Sequence, residues 1–241
     1  MKHLFLNVTW SIALILLSHQ AMAQSFNKNL QKYSVSLEED FASMDAERKK
    51  KLQDIADYII QSKSNQEDSK VLFVCTHNSR RSHFAQIWLQ TAAYYYGVDD
   101  ILTYSGGTEA TAANERAMDA LKRAGFTVAT SKRKDDNHVY AVSQGPGFGS
   151  DLLFSKVYGD KNNPQERFGA VMVCSDADKS CPVVHGADAR ISLPFDDPRY
   201  YDNTPSENEK YDETCRLIAT EMFYAMSLVK EKEVTQAEKL K

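Results

Sequence analysis

Val71-Leu72-Phe73-Val74-Cys75-Thr76-His77-Asn78-Ser79-Arg80-Arg81-Ser82 sets a cysteine at the end of an apolar run, then five residues, then an arginine and a serine. The apolar residues leading to Cys75 read as a fully buried parallel strand. Phe84, Ile87, Trp88, Thr91 and Tyr95 repeat at helical spacing immediately afterwards. A loop of this length between strand and helix can turn its backbone N–H groups onto one tetrahedral anion, and the helix adds its positive N-terminal dipole. Both effects favour a thiolate, the nucleophilic form of cysteine. Arg81 can clamp two anion oxygens at once, which lysine cannot. The competing reading makes Cys75 a small buried hydrophobe and turns both arginines to solvent. A charged loop between two apolar elements needs a partner for its charge, and that weighs against it.

Working outward, strands and helices alternate. Ile101 to Ser105 reads as a second strand, Gly106-Gly107-Thr108 as a turn, and Ala117, Met118, Leu121 and Ala124 as the apolar face of a helix stopped by Gly125. Ala170 to Cys174 is a third strand and Ala189 to Phe195 a fourth. A last helix follows, with Ser206 and Glu209 as a capping box and Tyr211, Cys215, Ile218, Met222 and Ala225 as its buried face. This order predicts an α/β fold: a four-stranded parallel sheet with helices on both faces and the ligand at the carboxyl ends of the strands, where Cys75 and Cys174 both lie. Between Gly125 and the third strand, His138 to Val142 and Leu152 to Tyr158 flank a glycine-rich stretch, which predicts a hairpin insertion within 137–165, a candidate cover for the site. The glycines lack the spacing and the following helix of a dinucleotide fingerprint.

Before the core, Ser36 with Glu39 forms a capping-box pattern, and Leu52, Ile55, Ala56, Ile59 and Ile60 share one helical face. Ser62 to Ser69 reads as a linker. The first 23 residues combine Lys2, an apolar run from Leu4 to Leu17, and Ala21-Met22-Ala23 before Gln24, the pattern of a secretory signal peptide. The alternative is an uncleaved anchor, although the run falls short of the ~20 residues a span needs. The expected division is therefore 1–23 signal peptide, 24–69 helical extension and linker, 70–231 catalytic domain, and 232–241 polar tail. The expected location is outside the cytosol, in a periplasm or beyond, with no membrane span after signal cleavage. A net charge of -4 argues against a nucleic-acid surface, and Lys49-Lys50-Lys51 reads as a solvated helix face.

A second constellation is Cys174-Ser175-Asp176-Ala177-Asp178-Lys179-Ser180-Cys181. If the intervening loop folds back, the two cysteines can pair. A permanent disulfide suits an exported protein. Their spacing does not match a zinc knuckle, and no metal site is expected. A third is Pro194-Phe195-Asp196-Asp197-Pro198, in which Asp197 read alone is a turn residue before proline.

Taken together these segments resemble the low-molecular-weight protein tyrosine phosphatases and, more closely, their relatives the thioredoxin-coupled arsenate reductases, over about two thirds of the chain from Val71 to roughly Val229. His77 stands where those families usually carry glycine, and Arg80 where they often carry cysteine. The resemblance implies that Cys75 is the nucleophile. Thr76, His77, Asn78, Ser79, Arg80 and Arg81 then form the oxyanion loop, Ser82 steadies the thiolate, and Asp197 protonates the leaving oxygen. Tyr200 and Tyr201 resemble the aromatic pair beside the phosphatase site. Cys174 and Cys181 match the segment that relays oxidation away from the nucleophile in the reductases. The implied activity is reduction of arsenate to arsenite, with electrons from a thioredoxin-like dithiol and no bound cofactor. The alternative is hydrolysis of phosphate monoesters through a phosphocysteine. A third reading, outside enzymology, is an anion-binding or redox-sensing protein. Cys215 reads as core, and His83, His138 and His185 carry no assigned role.

Overall fold

The structure is a computed structural model that describes residues 24–131, 135–181 and 183–239. The signal-peptide stretch 1–23 lies outside the described residues. The chain enters through α1 (Lys28–Leu37), a 3-10 segment (Glu38–Ser43) and α2 (Ala46–Ser64), then β1 (Ser69–Cys75), α3 (Arg81–Tyr96), β2 (Ile101–Gly107) and α4 (Glu115–Ala124). Next come β3 (Thr127–Ser131), β4 (Val139–Ser143), β5 (Asp151–Leu153), β6 (Phe168–Met172), α5 (Ser175–Ser180), β7 (Ala187–Ser192), a 3-10 turn (Pro198–Tyr201) and α6 (Glu207–Lys239).

The main sheet has the order β2-β1-β6-β7 and is parallel throughout. Its central strands β1 and β6 are buried along almost their whole length, which is why their sequences are continuously apolar rather than alternating. Helix α3 is buried from Arg81 to Ala93. That exceeds the single stripe expected from the sequence, because α6 packs along it as well. Trp88 lies at the centre, edge-on to Phe126 at 4.9 Å and to Phe223 at 6.0 Å.

The N-terminal extension is part of this core. Leu30, Leu37, Leu52, Ile55, Ala56 and Ile59 are fully buried in the same apolar cluster as β1 and α3. Ser36 does not begin a helix: it sits in the last turn of α1 and its hydroxyl donates to the Tyr33 carbonyl. The cap of α2 is Asp45, whose Oδ1 accepts from the N–H groups of Glu47 and Arg48. The expected linker keeps Asn65 to Asp68 outside regular elements, since α2 runs to Ser64 and β1 begins at Ser69, and the expected polar tail is helical through Lys239 as the last turns of α6.

The insertion contains three strands rather than two, paired antiparallel as β3-β4-β5. The third arises because Thr127–Ser131, unassigned in the sequence, pairs with β4. The run Leu152–Tyr158 is strand only over its first residues, and Val157 then makes an isolated parallel bridge with Gly107.

Candidate active site

The strand β1 delivers Cys75, 3% exposed, to the mouth of the following loop. The Asn78 N–H and the Ser82 hydroxyl each lie 3.2 Å from its Sγ. Asn78 Nδ2 donates to Ser82 Oγ at 2.9 Å, so the serine oxygen is already accepting and its own hydrogen is free for the sulfur. Asn78 sits in the left-handed region at φ 45°, which asparagine tolerates better than most residues, and its Oδ1 accepts from the Lys156 N–H at 2.9 Å.

The loop's carbonyls are taken up by its surroundings. Those of Cys75 and Thr76 accept from the N–H groups of Thr108 and Glu109, that of His77 accepts from the Ser155 hydroxyl at 2.8 Å, and that of Ser79 accepts from Asn114 N–H. Among the described residues, the N–H groups of Thr76, His77, Ser79 and Arg80 find no acceptor. A row of unpaired amides above a helix start is a site for an anion. Hence the insertion buttresses the loop from behind, through Ser155 and Lys156, instead of covering the site.

Gly106 and Gly107, expected as a turn, belong to β2. Gly107 is required by contact: a Cβ there would lie 2.2 Å from the Glu109 carbonyl oxygen and 2.7 Å from that of Thr76.

Arg81 donates through Nη2 to Asp197 Oδ2 at 2.7 Å and through Nη1 to the Phe195 carbonyl at 2.8 Å, while its buried Nε has no partner among the described residues. The expected oxyanion clamp and the expected acid are therefore in contact. Asp197 is 8% exposed, and its Oδ1 also accepts from the Arg199 N–H. A cavity of about 160 Å³ opens beside them, lined by Thr76, His77, Arg81, Ser175, Asp197 and Tyr200 among others, the scale of a small oxyanion.

The Arg80 side chain is turned away from the cradle. Its Nε donates to the Tyr211 hydroxyl at 2.9 Å, and its other nitrogens lie 3.7 Å from Asp202 and 3.8 Å from Asp197, so only its backbone N–H serves the loop. His77 lies at the rim with Nε2 3.8 Å from Glu109, and Tyr201 is not in the cavity wall, whereas Tyr200 is.

Cys174 caps α5 and is buried, with Sγ 3.4 Å from Thr76 Oγ1, the first residue of the loop. Cys181 lies at the other end of α5, its Sγ directed to the Val183 carbonyl at 3.4 Å. All four cysteines are free, so the permanent Cys174–Cys181 disulfide is absent. What the sequence left as a loop is a short helix, and Arg190 fastens its end by donating to the Asp178 carboxylate and carbonyl at 2.6 Å each and to the Cys181 carbonyl at 3.2 Å. Cys215 accepts from Trp88 Nε1 at 3.2 Å, and burial pushes its thiol up to about 12, which keeps it unreactive in the core.

His83, fully buried behind the loop, is pushed down to about 3 by burial, with the Lys156 ammonium adding to the effect. Unfolded, a histidine titrates near ~6.5. Below that pH the unfolded chain takes up a proton that the folded chain refuses until about 3, so stability falls as pH falls through this window. The His83 contribution lost between pH 7 and 5 is about 2 kcal/mol, and a variant at this position separates it from the Asp151 and Glu221 carboxyls, which burial pushes up. Denaturant unfolding of His83→Gln should show a flatter profile there, and the same slope in both proteins would contradict the assignment.

A strand, an amide-lined loop bearing cysteine and arginine, and an aspartate on the guanidinium are brought together on an α/β framework, an arrangement that can hold an oxyanion beside a thiol. A family profile described as low molecular weight phosphotyrosine protein phosphatase matches residues 70–141. An arsenate reductase of Staphylococcus epidermidis is 32% identical over 130 residues, covering 53% of this chain and 77% of that protein. One from Staphylococcus aureus is 30% identical over 128 residues, with the same coverage of 53% and 77%. Among solved structures, a low molecular weight protein tyrosine phosphatase from T. tengcongensis matches with a TM-score of 0.46 and 18% identity, over 66% of this chain and 98% of that one. The chain belongs to the low-molecular-weight protein tyrosine phosphatase superfamily, close to its arsenate reductases, and is an enzyme of one of these two kinds.

Proposed function

We propose that the protein reduces arsenate to arsenite through Cys75, Cys174 and Cys181. The carrying observation is the place of Cys174, a free thiol against Thr76 at the edge of the oxyanion loop, where a purely hydrolytic site has no use for one. The naming of the two Staphylococcus relatives as arsenate reductases supports the same reading.

In this mechanism arsenate sits on the loop amides and Arg81, and the Cys75 thiolate attacks arsenic. An arsenate oxygen leaves as water with a proton from Asp197, forming a Cys75–arsenic(V) adduct. The Cys174 thiolate then attacks the Cys75 sulfur. The sulfur–arsenic bond breaks with its electron pair going to arsenic, arsenite departs, and a Cys75–Cys174 disulfide remains. Cys181 attacks Cys174, forming the Cys174–Cys181 disulfide and returning Cys75 as thiolate. Two electrons leave two thiols and reduce As(V) to As(III).

The last exchange requires α5 to open. Seven residues at helical rise separate the two cysteines by ~10 Å, and a disulfide needs Cα atoms within about 7 Å. A helix of six residues has little stability of its own, so the principal restraint is the clamp of Arg190 and Ser192 on Asp178. A thioredoxin-like dithiol would then reduce the exposed pair. If residues 1–23 direct export, that reductant must be exported too, since an oxidising exterior would otherwise trap the disulfide.

The phosphatase reading draws on Tyr200, 73% exposed and in the cavity wall, where an aryl ester would stack. A single-turnover experiment separates the two. Fully reduced protein mixed with arsenate and no reductant should release one arsenite per chain, lose two thiols and yield a Cys174–Cys181 disulfide by mass spectrometry. Unchanged thiols with no arsenite would sink the reductase reading.

A further inference from the structure

We propose that Arg48, on the N-terminal extension, is a positioning residue for the acid Asp197. This deepens the reading above and rests on Asp197 being the group that protonates the leaving oxygen.

The Asp197 carboxylate hangs from an irregular segment after β7, and its setting depends on how Pro194 and Phe195 are fixed. Consecutive carbonyls there are each held by a different arginine. Arg81 of the oxyanion loop donates to the Phe195 carbonyl at 2.8 Å, and Arg48 Nη1 donates to the Pro194 carbonyl at 2.9 Å. The Arg48 guanidinium also lies 4.5 Å from the centre of the Phe195 ring, which is buried. It is itself anchored on the far side, Nε to Glu221 Oε1 at 2.7 Å, and its backbone N–H is fixed by the Asp45 cap. Glu221 is 2% exposed and the Arg48 side chain 19%, so the carboxylate is buried while the arginine is half-buried above it.

One guanidinium thus performs three tasks: an ion pair, a carbonyl bond and a stacked ring. A flat fork can do all three together, whereas an ammonium serves one direction at a time. Arg48 lies before the stretch matched by the family profile, residues 70–141. The extension, whose role the sequence left blank, therefore reaches the acid of the active site through a single side chain.

An error of about 1 Å in a catalytic group is enough to cost ~10²-fold. The effect should appear where the acid matters. With phenyl phosphate the departing oxygen needs a proton, and with 2,4-dinitrophenyl phosphate it leaves without one. The experiment follows formation of the Cys75 phospho-adduct from each ester in a single turnover, trapped and measured by mass spectrometry. Because Arg48→Gln alone strands a buried carboxylate, the double variant Arg48→Gln/Glu221→Gln is made beside it and both are checked for a native melting transition.

The expected result is a loss of roughly 10- to 100-fold with phenyl phosphate and less than about threefold with the dinitrophenyl ester, mirroring Asp197→Asn, with Arg48→Lys in between. Equal losses with both esters, or none, would overturn the role of Arg48 while leaving the cysteine chemistry intact. No adduct from either ester in the unaltered protein would overturn Asp197 as an acid for aryl esters, and the positioning role with it, while arsenite release in the single-turnover experiment above decides the reductase reading separately.

Discussion

Cys75→Ser is expected to lower arsenate turnover and aryl phosphate hydrolysis together, on the order of 10⁴-fold or more. The reason lies in what surrounds the sulfur. Asn78 N–H and the Ser82 hydroxyl, both 3.2 Å away, are placed to donate to the sulfur as it attacks. Neither is a base that could take a proton from a serine, so the alcohol remains un-ionised and weak. Arsenate binding, followed by equilibrium dialysis, should survive, because the loop amides and Arg81 are unchanged. Activity within tenfold of the unaltered protein would make this an anion-binding protein whose turnover belongs elsewhere.

Cys174→Ser is expected to divide the two activities. Arsenate turnover should fall by on the order of 10³-fold or more, since the Cys75–arsenic adduct then has no thiol to attack it. Aryl phosphate hydrolysis, whose second step needs only water, should stay within roughly tenfold, the scale of losing the weak contact between Cys174 and Thr76. Release of p-nitrophenol by the variant measures the second half of this prediction. A parallel collapse of both activities would show that Cys174 supports the loop and carries no electrons.

Much of this site is legible in the sequence because its chemistry is local. The strand, the loop and the helix around Cys75 are contiguous, and the periodicity of the flanking apolar residues sets their type. The four parallel strands follow from apolar runs that need no alternation when both faces are buried. Elsewhere the deciding contacts join distant parts of the chain. Nothing around Gly107 signals that it lies against the Thr76 carbonyl, and nothing around Arg48 signals the Pro194 carbonyl. The strand β3 escaped notice because Thr127–Ser131 is largely exposed and has no period-two pattern. The Ser36-x-x-Glu39 pattern misleads for a related reason: the same residues serve the end of α1, and only the fold shows that Asp45 opens α2. Between Cys174 and Cys181, six polar and small residues carry no apolar face, so a helix held by Arg190 from a neighbouring strand leaves no trace in its own sequence.

The most direct measurement is arsenate-dependent oxidation of NADPH by the protein, coupled through thioredoxin and thioredoxin reductase, with Cys174→Ser run in parallel. The three-cysteine account predicts steady consumption by the unaltered protein that disappears in the variant. No consumption, with p-nitrophenyl phosphate hydrolysed equally by both, would contradict it and leave a phosphatase in its place.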